Sequence, residues 1–179
     1  MESLHEKVYR RVRGSCCCRL HAKSSWKEES QLDFERPLAG RGKKACGFIA
    51  KHIQSEAIEF DLLLSSSAVR ARETIELIRQ QAKLRSELRF DERIYEAPVT
   101  RLMEIISEVE NDRKVILVVG HNPGMEELIH ALTGEEQGMP TAGLAKIKLK
   151  SSKWAEVGEA KGTLEWIVRP KELEQTEDH

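Results

Sequence analysis

The sequence predicts a three-layer α/β/α sandwich around a mostly parallel central sheet. Three observations carry this: an unbroken apolar strand, two strand-to-helix handovers, and short alternating stretches near the C-terminus. Val115-Ile116-Leu117-Val118-Val119 is β-branched and apolar throughout, the pattern of a parallel strand covered on both faces. Phe60-Asp61-Leu62-Leu63-Leu64 reads as a second strand. Ser65-Ser66-Ser67 follow as helix N-cap candidates, and then a helical pattern carries Ile75, Leu77 and Ile78. After Val119, Gly120-His121-Asn122-Pro123 supplies a turn, a cap candidate in Asn122 and a proline suited to the first helical position. Met125, Leu128, Ile129 and Leu132 then recur at helical spacing.

Further helices are expected over 43–54 and 99–109, where apolar residues return every three or four positions. Beyond Gly134 the pattern alternates over 144–149, 154–157 and 163–168, which predicts two or three antiparallel strands added to the sheet. Residues 9–20 read poorly as a buried parallel strand, since they hold four arginines and three consecutive cysteines. One domain over 21–171 is therefore expected, preceded by an atypical basic segment over 1–20 and followed by an acidic tail over 172–179.

Composition narrows the partners. With 29 Lys+Arg against 30 Asp+Glu, overall charge offers no argument for nucleic acid or a membrane surface. The first 25 residues hold six basic residues against Glu2 and Glu6, and these acids speak against a transit peptide. No apolar run reaches the ~20 residues of a bilayer span. A cytoplasmic protein is expected, with organellar targeting as the minority alternative. Cys16, Cys17, Cys18 and Cys46 have neither the spacing of a disulfide framework nor that of paired metal ligands.

In open α/β sheets, ligands bind beyond the carboxyl ends of the parallel strands. His121 follows the strongest strand, Arg70 lies in the first turn after the second, and His21 with Lys23 follows the segment at 16–20. Helix N-termini at such handovers add free N–H groups and a positive dipole end. Two imidazoles and a guanidinium suit phosphoryl transfer: one imidazole attacks phosphorus, the guanidinium forks onto equatorial oxygens, and the second imidazole steadies developing charge. No metal and no cofactor is required. Lys23 would add positive potential at the mouth. Arg72 is expected on the helix surface.

The ordered set of blocks at these positions resembles the SixA-type branch of the histidine phosphatase superfamily. The blocks are His21-Ala22-Lys23-Ser24-Ser25-Trp26, Asp33-Phe34-Glu35-Arg36-Pro37-Leu38, Ser65-Ser66-Ser67-Ala68-Val69-Arg70-Ala71 with Thr74, Asp91-Glu92-Arg93-Ile94-Tyr95-Glu96-Ala97, Gly120-His121-Asn122-Pro123-Gly124, Pro140-Thr141-Ala142-Gly143 and Val168-Arg169-Pro170-Lys171. The resemblance implies a phosphoglycerate mutase-like fold. It also implies hydrolysis through a phosphohistidine intermediate, acting on a phosphorylated protein or a small phosphorylated compound. By matching positions, His21 would be the nucleophile, Arg70 the phosphate clamp and His121 the second pocket histidine. Glu96 is the candidate general acid, and a cap of the following helix is its equal alternative.

One position departs from the pattern. Where the family carries an arginine immediately before its nucleophile, this chain has Leu20. Arg19 lies one place earlier, and successive side chains of a strand face apart, so only a bulge or a register slip would let it substitute. A catalytically impaired phosphate-binding or regulatory protein is accordingly the alternative function.

Overall fold

A computed structural model describes residues 32–140, 142–170 and 172 in full and residues 16–21 by backbone. Its strands are β1 (Cys16–His21), β2 (Leu62–Ser66), β3 (Glu87–Asp91), β4 (Val115–Gly120), β5 (Leu144–Leu149) and β6 (Gly162–Val168). Its helices are α1 (Gly40–Ser55), α2 (Val69–Gln81), α3 (Val99–Ser107) and α4 (Gly124–Thr133). The strands form one sheet in the order β3-β2-β4-β1-β5-β6. The pairings β3–β2, β2–β4 and β4–β1 are parallel, while β1–β5 and β5–β6 are antiparallel. The expected α/β/α sandwich with a mostly parallel sheet is the fold observed.

Period-two alternation in β2 and β4 builds both cores at once. Leu63, Leu117 and Val119 point to one face, where they pack with Ile49 and Ile53 of α1 and Ile75 and Ile78 of α2. Leu62, Leu64, Ile116 and Val118 point to the other, against Leu102, Ile105 and Ile106 of α3 and Leu128, Ile129 and Leu132 of α4. Because every residue of β2 is buried, an apolar run there satisfies two layers rather than one. Among the described residues no helix is long and apolar enough to cross a membrane.

Several sequence expectations shift. The segment that reads poorly as a strand supplies β1, which lies between β4 and β5, so the sheet begins five residues upstream of the expected boundary at residue 21. Backbone pairing to both neighbours makes this strand, whatever its side-chain composition suggests. The second strand runs two residues later than expected: Ser65 and Ser66 belong to β2, and Ala68 is the N-cap of α2. Pro123, in a cis peptide with Asn122, is the N-cap of α4 and not its first residue. Asn122 does not cap; its Nδ2 donates to Glu126 Oε1 at 2.8 Å and to the Met139 carbonyl at 3.2 Å. The alternation at 154–157 is a one-turn 3-10 helix over Trp154–Glu156. There Trp154 and Val157, three apart, are both buried, and the indole N–H donates to the Arg113 carbonyl at 2.7 Å.

Strand β3 has no counterpart among the sequence expectations. Glu87-Leu88-Arg89-Phe90-Asp91 alternates charged and apolar residues, the period-two pattern of a half-buried strand, but over only five residues. It holds its place through parallel pairing to β2 on one side only.

Candidate active site

The carboxyl ends of four parallel strands stand side by side. His21 is the last residue of β1 and pairs with Gly120, the last of β4, so the backbones of His21 and His121 leave the sheet from neighbouring strands. Arg70, the second residue of α2, follows β2 on the other side of β4. Tyr95 and Glu96 follow β3. The side chain of His21, and Lys23 altogether, lie outside the described residues.

His121 is buried, and its Nε2 lies 2.9 Å from Ser66 Oγ. Ser66 ends β2 and also accepts the Ala68 N–H at 3.3 Å. A hydroxyl can give or take a proton, so this contact holds the ring whether Nε2 is protonated or not. Arg70 is only 6% exposed. Its Nη1 donates to the Asp33 carbonyl at 2.6 Å and its Nη2 to Asp33 Oδ2 at 2.9 Å. The Tyr95 hydroxyl donates to the same Oδ2 at 2.9 Å. Arg36 Nη1 lies 3.6 Å from Asp33 Oδ1.

Tyr95 contacts both basic groups. Its ring meets His121 edge to face with centroids 5.3 Å apart, and it meets Phe34 likewise at 5.0 Å. The Arg70 guanidinium lies 5.7 Å from its centroid. Burial raises the Tyr95 phenol above its ordinary range, and the bonded Asp33 carboxylate adds to this, so Tyr95 remains a donor. Burial would likewise raise the Asp33 carboxyl. The Tyr95 hydrogen bond and the charge of Arg70 outweigh it, and Asp33 titrates below its usual 3.8.

Local packing fixes the loop that carries Tyr95. A Cβ added at Gly124 would fall 2.0 Å from the Ala97 carbonyl oxygen, so only glycine lets α4 start this close to residues 94–97. Glu126 Oε1 takes the Met139 N–H at 2.7 Å as well as Asn122, tying the α4–β5 connection to the same place. Glu96 beside Tyr95 is exposed, in a left-handed conformation at φ 47°. It does not cap α3, whose N-cap is Pro98, so the capping alternative falls away.

Of the expected site residues, Arg70 and His121 are brought against the same Tyr95 ring. Arg72 points away, over the Phe90 ring at 4.6 Å. Sequence reasoning assigned no site role to Asp33 or Tyr95 and read Ser66 only as a helix-cap candidate, although all three stand within the matched blocks. A serine pair closing the apolar run of β2 at its carboxyl end was the one signal that could have marked Ser66.

The sequence profile of the histidine phosphatase superfamily (branch 1) matches residues 19–102. An uncharacterized chloroplastic protein of Arabidopsis thaliana is 29% identical over 163 residues, covering 84% of this chain and 75% of its own length. A candidate phosphohistidine phosphatase SixA from Agrobacterium tumefaciens superposes with a TM-score of 0.75 at 25% identity, covering 88% of this chain and 99% of its own. The protein histidine phosphatase SixA in complex with tungstate gives a TM-score of 0.76 at 21% identity, over 88% and 99% of the two chains. Its profile match over residues 19–102, its SixA-type fold and its basic groups at the ends of the parallel strands make this chain similar to proteins of the histidine phosphatase superfamily.

Proposed function

We propose that the chain is a phosphatase that passes a phosphoryl group to His21 and then to water, acting on phosphohistidine of a protein or on a small phosphorylated compound. The observation that carries this reading is the buried pair Arg70 and His121, held by Asp33 and Ser66 at strand ends beside that of β1. Side chains locked by neighbours before substrate arrives need no reorganisation during reaction, which is how such groups stabilise developing charge.

In the first half-reaction a ring nitrogen of His21 attacks phosphorus; the N–P bond forms as the bond from phosphorus to the leaving atom breaks. Arg70 has five N–H donors and, among the described residues, commits two to Asp33, which leaves three for the phosphoryl oxygens. His121 steadies the charge that gathers on them. Glu96 donates its proton to the leaving atom. In the second half-reaction the Glu96 carboxylate takes a proton from water, the new O–P bond forms, the N–P bond breaks, and inorganic phosphate departs with His21 restored. Lys23 adds attraction for the anion.

One observation favours a second reading, a phosphate-binding or regulatory protein with impaired turnover. The β1–β4 register runs unbroken from Cys16↔Val115 to His21↔Gly120, so no bulge moves Arg19 into the place of Leu20. Incubation with a phosphohistidine peptide and with an aryl phosphate, without added metal, separates the readings. Phosphate release that His21→Ala abolishes and Leu20→Arg increases is the expected result. Absence of release from the wild type, with inorganic phosphate still bound, would establish the binding protein instead.

A further inference from the structure

A pocket that takes up phosphate gains from each positive charge, yet the acidic side chain of Asp33 lies directly on Arg70. Asp33 occupies one donor of Nη1 through its carbonyl, at 2.6 Å, and one of Nη2 through Oδ2, at 2.9 Å. Its other oxygen lies 3.6 Å from Arg36, so one carboxylate offsets one of two guanidinium charges there. The Tyr95 hydroxyl fixes Oδ2 from a third direction, and the Tyr95 ring itself is wedged between Phe34 and His121. This carboxylate is thus anchored beside the pocket. Its side chain is 40% exposed against 7% for Arg70, so it keeps water of its own while the guanidinium does not.

We propose that Asp33 is an internal counter-ion that holds the Arg70 guanidinium oriented while weakening its grip on phosphate, and so sets the rate at which product leaves. The inference rests on the assignment of Arg70 as the phosphate clamp. An oxyanion on the free donors of Arg70 stands within a few ångströms of the Asp33 carboxylate, and two anions sharing one cation repel. Retention of inorganic phosphate is the hazard of a preorganised phosphate site, because product release limits turnover in many enzymes. Asp33 acts through Arg70 and is a positioning residue; it carries out no chemical step.

The test measures inorganic phosphate binding by titration calorimetry, together with kcat and KM on an aryl phosphate. The proteins compared are the wild type, Asp33→Asn, Asp33→Ser, Asp33→Glu and Arg70→Ala. Removing the charge in Asp33→Asn and Asp33→Ser is expected to tighten phosphate binding roughly tenfold, lower KM, and lower kcat as release becomes limiting. Asp33→Glu keeps the charge and gains no affinity. A residue with a purely structural role would loosen binding when replaced, so tightening is the diagnostic outcome. Equal or weaker binding in the charge-removing variants, with Arg70→Ala binding none, overturns the inference and leaves the clamp intact. Equal binding by the wild type and Arg70→Ala instead overturns the clamp itself. Should Asp33→Asn not fold, Asp33→Ser decides.

Discussion

Arg70 and Arg89 both meet carboxylates, and the two arrangements have opposite consequences. Arg89, on the edge strand β3, spends Nε on Glu87 at 2.7 Å and both terminal nitrogens on Glu110 at 2.8 Å. Arg93 beside it is held likewise by Asp91 and Glu108. These groups lie in solvent, where a pair is screened and weak. Their use is to charge an open sheet edge against further strand pairing. Among the described residues Arg70 has a single carboxylate partner; it is almost wholly buried and keeps donors in reserve. The number of ion pairs therefore says little about function. Burial and unspent donors distinguish the functional arginine.

The sharpest break of this contrast is Arg70→Ala. It removes the clamp and is expected to lower turnover by roughly 10²–10³, read as phosphate release from an aryl phosphate. A loss of less than threefold would place Arg70 with the edge arginines. Next is Gly124→Ala, which drives a methyl group against the Ala97 carbonyl. An expected destabilisation of about 2–3 kcal/mol, measured by denaturant unfolding, should come with reduced turnover because the Tyr95 loop moves. Unchanged stability would show that this loop is soft. Smallest is Arg89→Ala, expected to leave turnover unchanged and to shift melting no more than an ordinary surface substitution, with that shift fading at high salt. A fall in turnover would show that the edge is coupled to the pocket.

Acid sharpens the comparison further. Asp33 titrates below its usual 3.8 in the folded chain. Its contribution to stability is therefore present above that value and is lost as pH falls through the lower folded value. The melting temperatures of the wild type and Asp33→Asn should differ at neutral pH and converge in that acid range. A difference that persists there would place the stabilisation elsewhere.

Legibility in the sequence followed burial. Strand β4 and helix α4 were readable because each residue's environment repeats with the local period: Ile116 to Val119 are buried in turn, as are Met125, Leu128, Ile129 and Leu132. Strand β3 was missed although its charged and apolar residues alternate with period two, because that pattern lasts only five residues and the strand pairs on one side alone. Strand β1 was obscured for the reverse reason. Pairing with β4 and β5 supplies its hydrogen bonds through the backbone, which composition does not report.

The sequence by itself determined the layer order, the two handovers that present Arg70 and His121, and the family resemblance. Each of these depends on local period or on blocks read in chain order. Only the tertiary structure decided that Asp33, 37 residues before Arg70, supplies its partner, that Ser66 holds His121 across 55 residues, and that Tyr95 touches both basic groups. Such contacts join residues whose spacing along the chain carries no period. They exist because four parallel strands end at one edge and bring their loops together there.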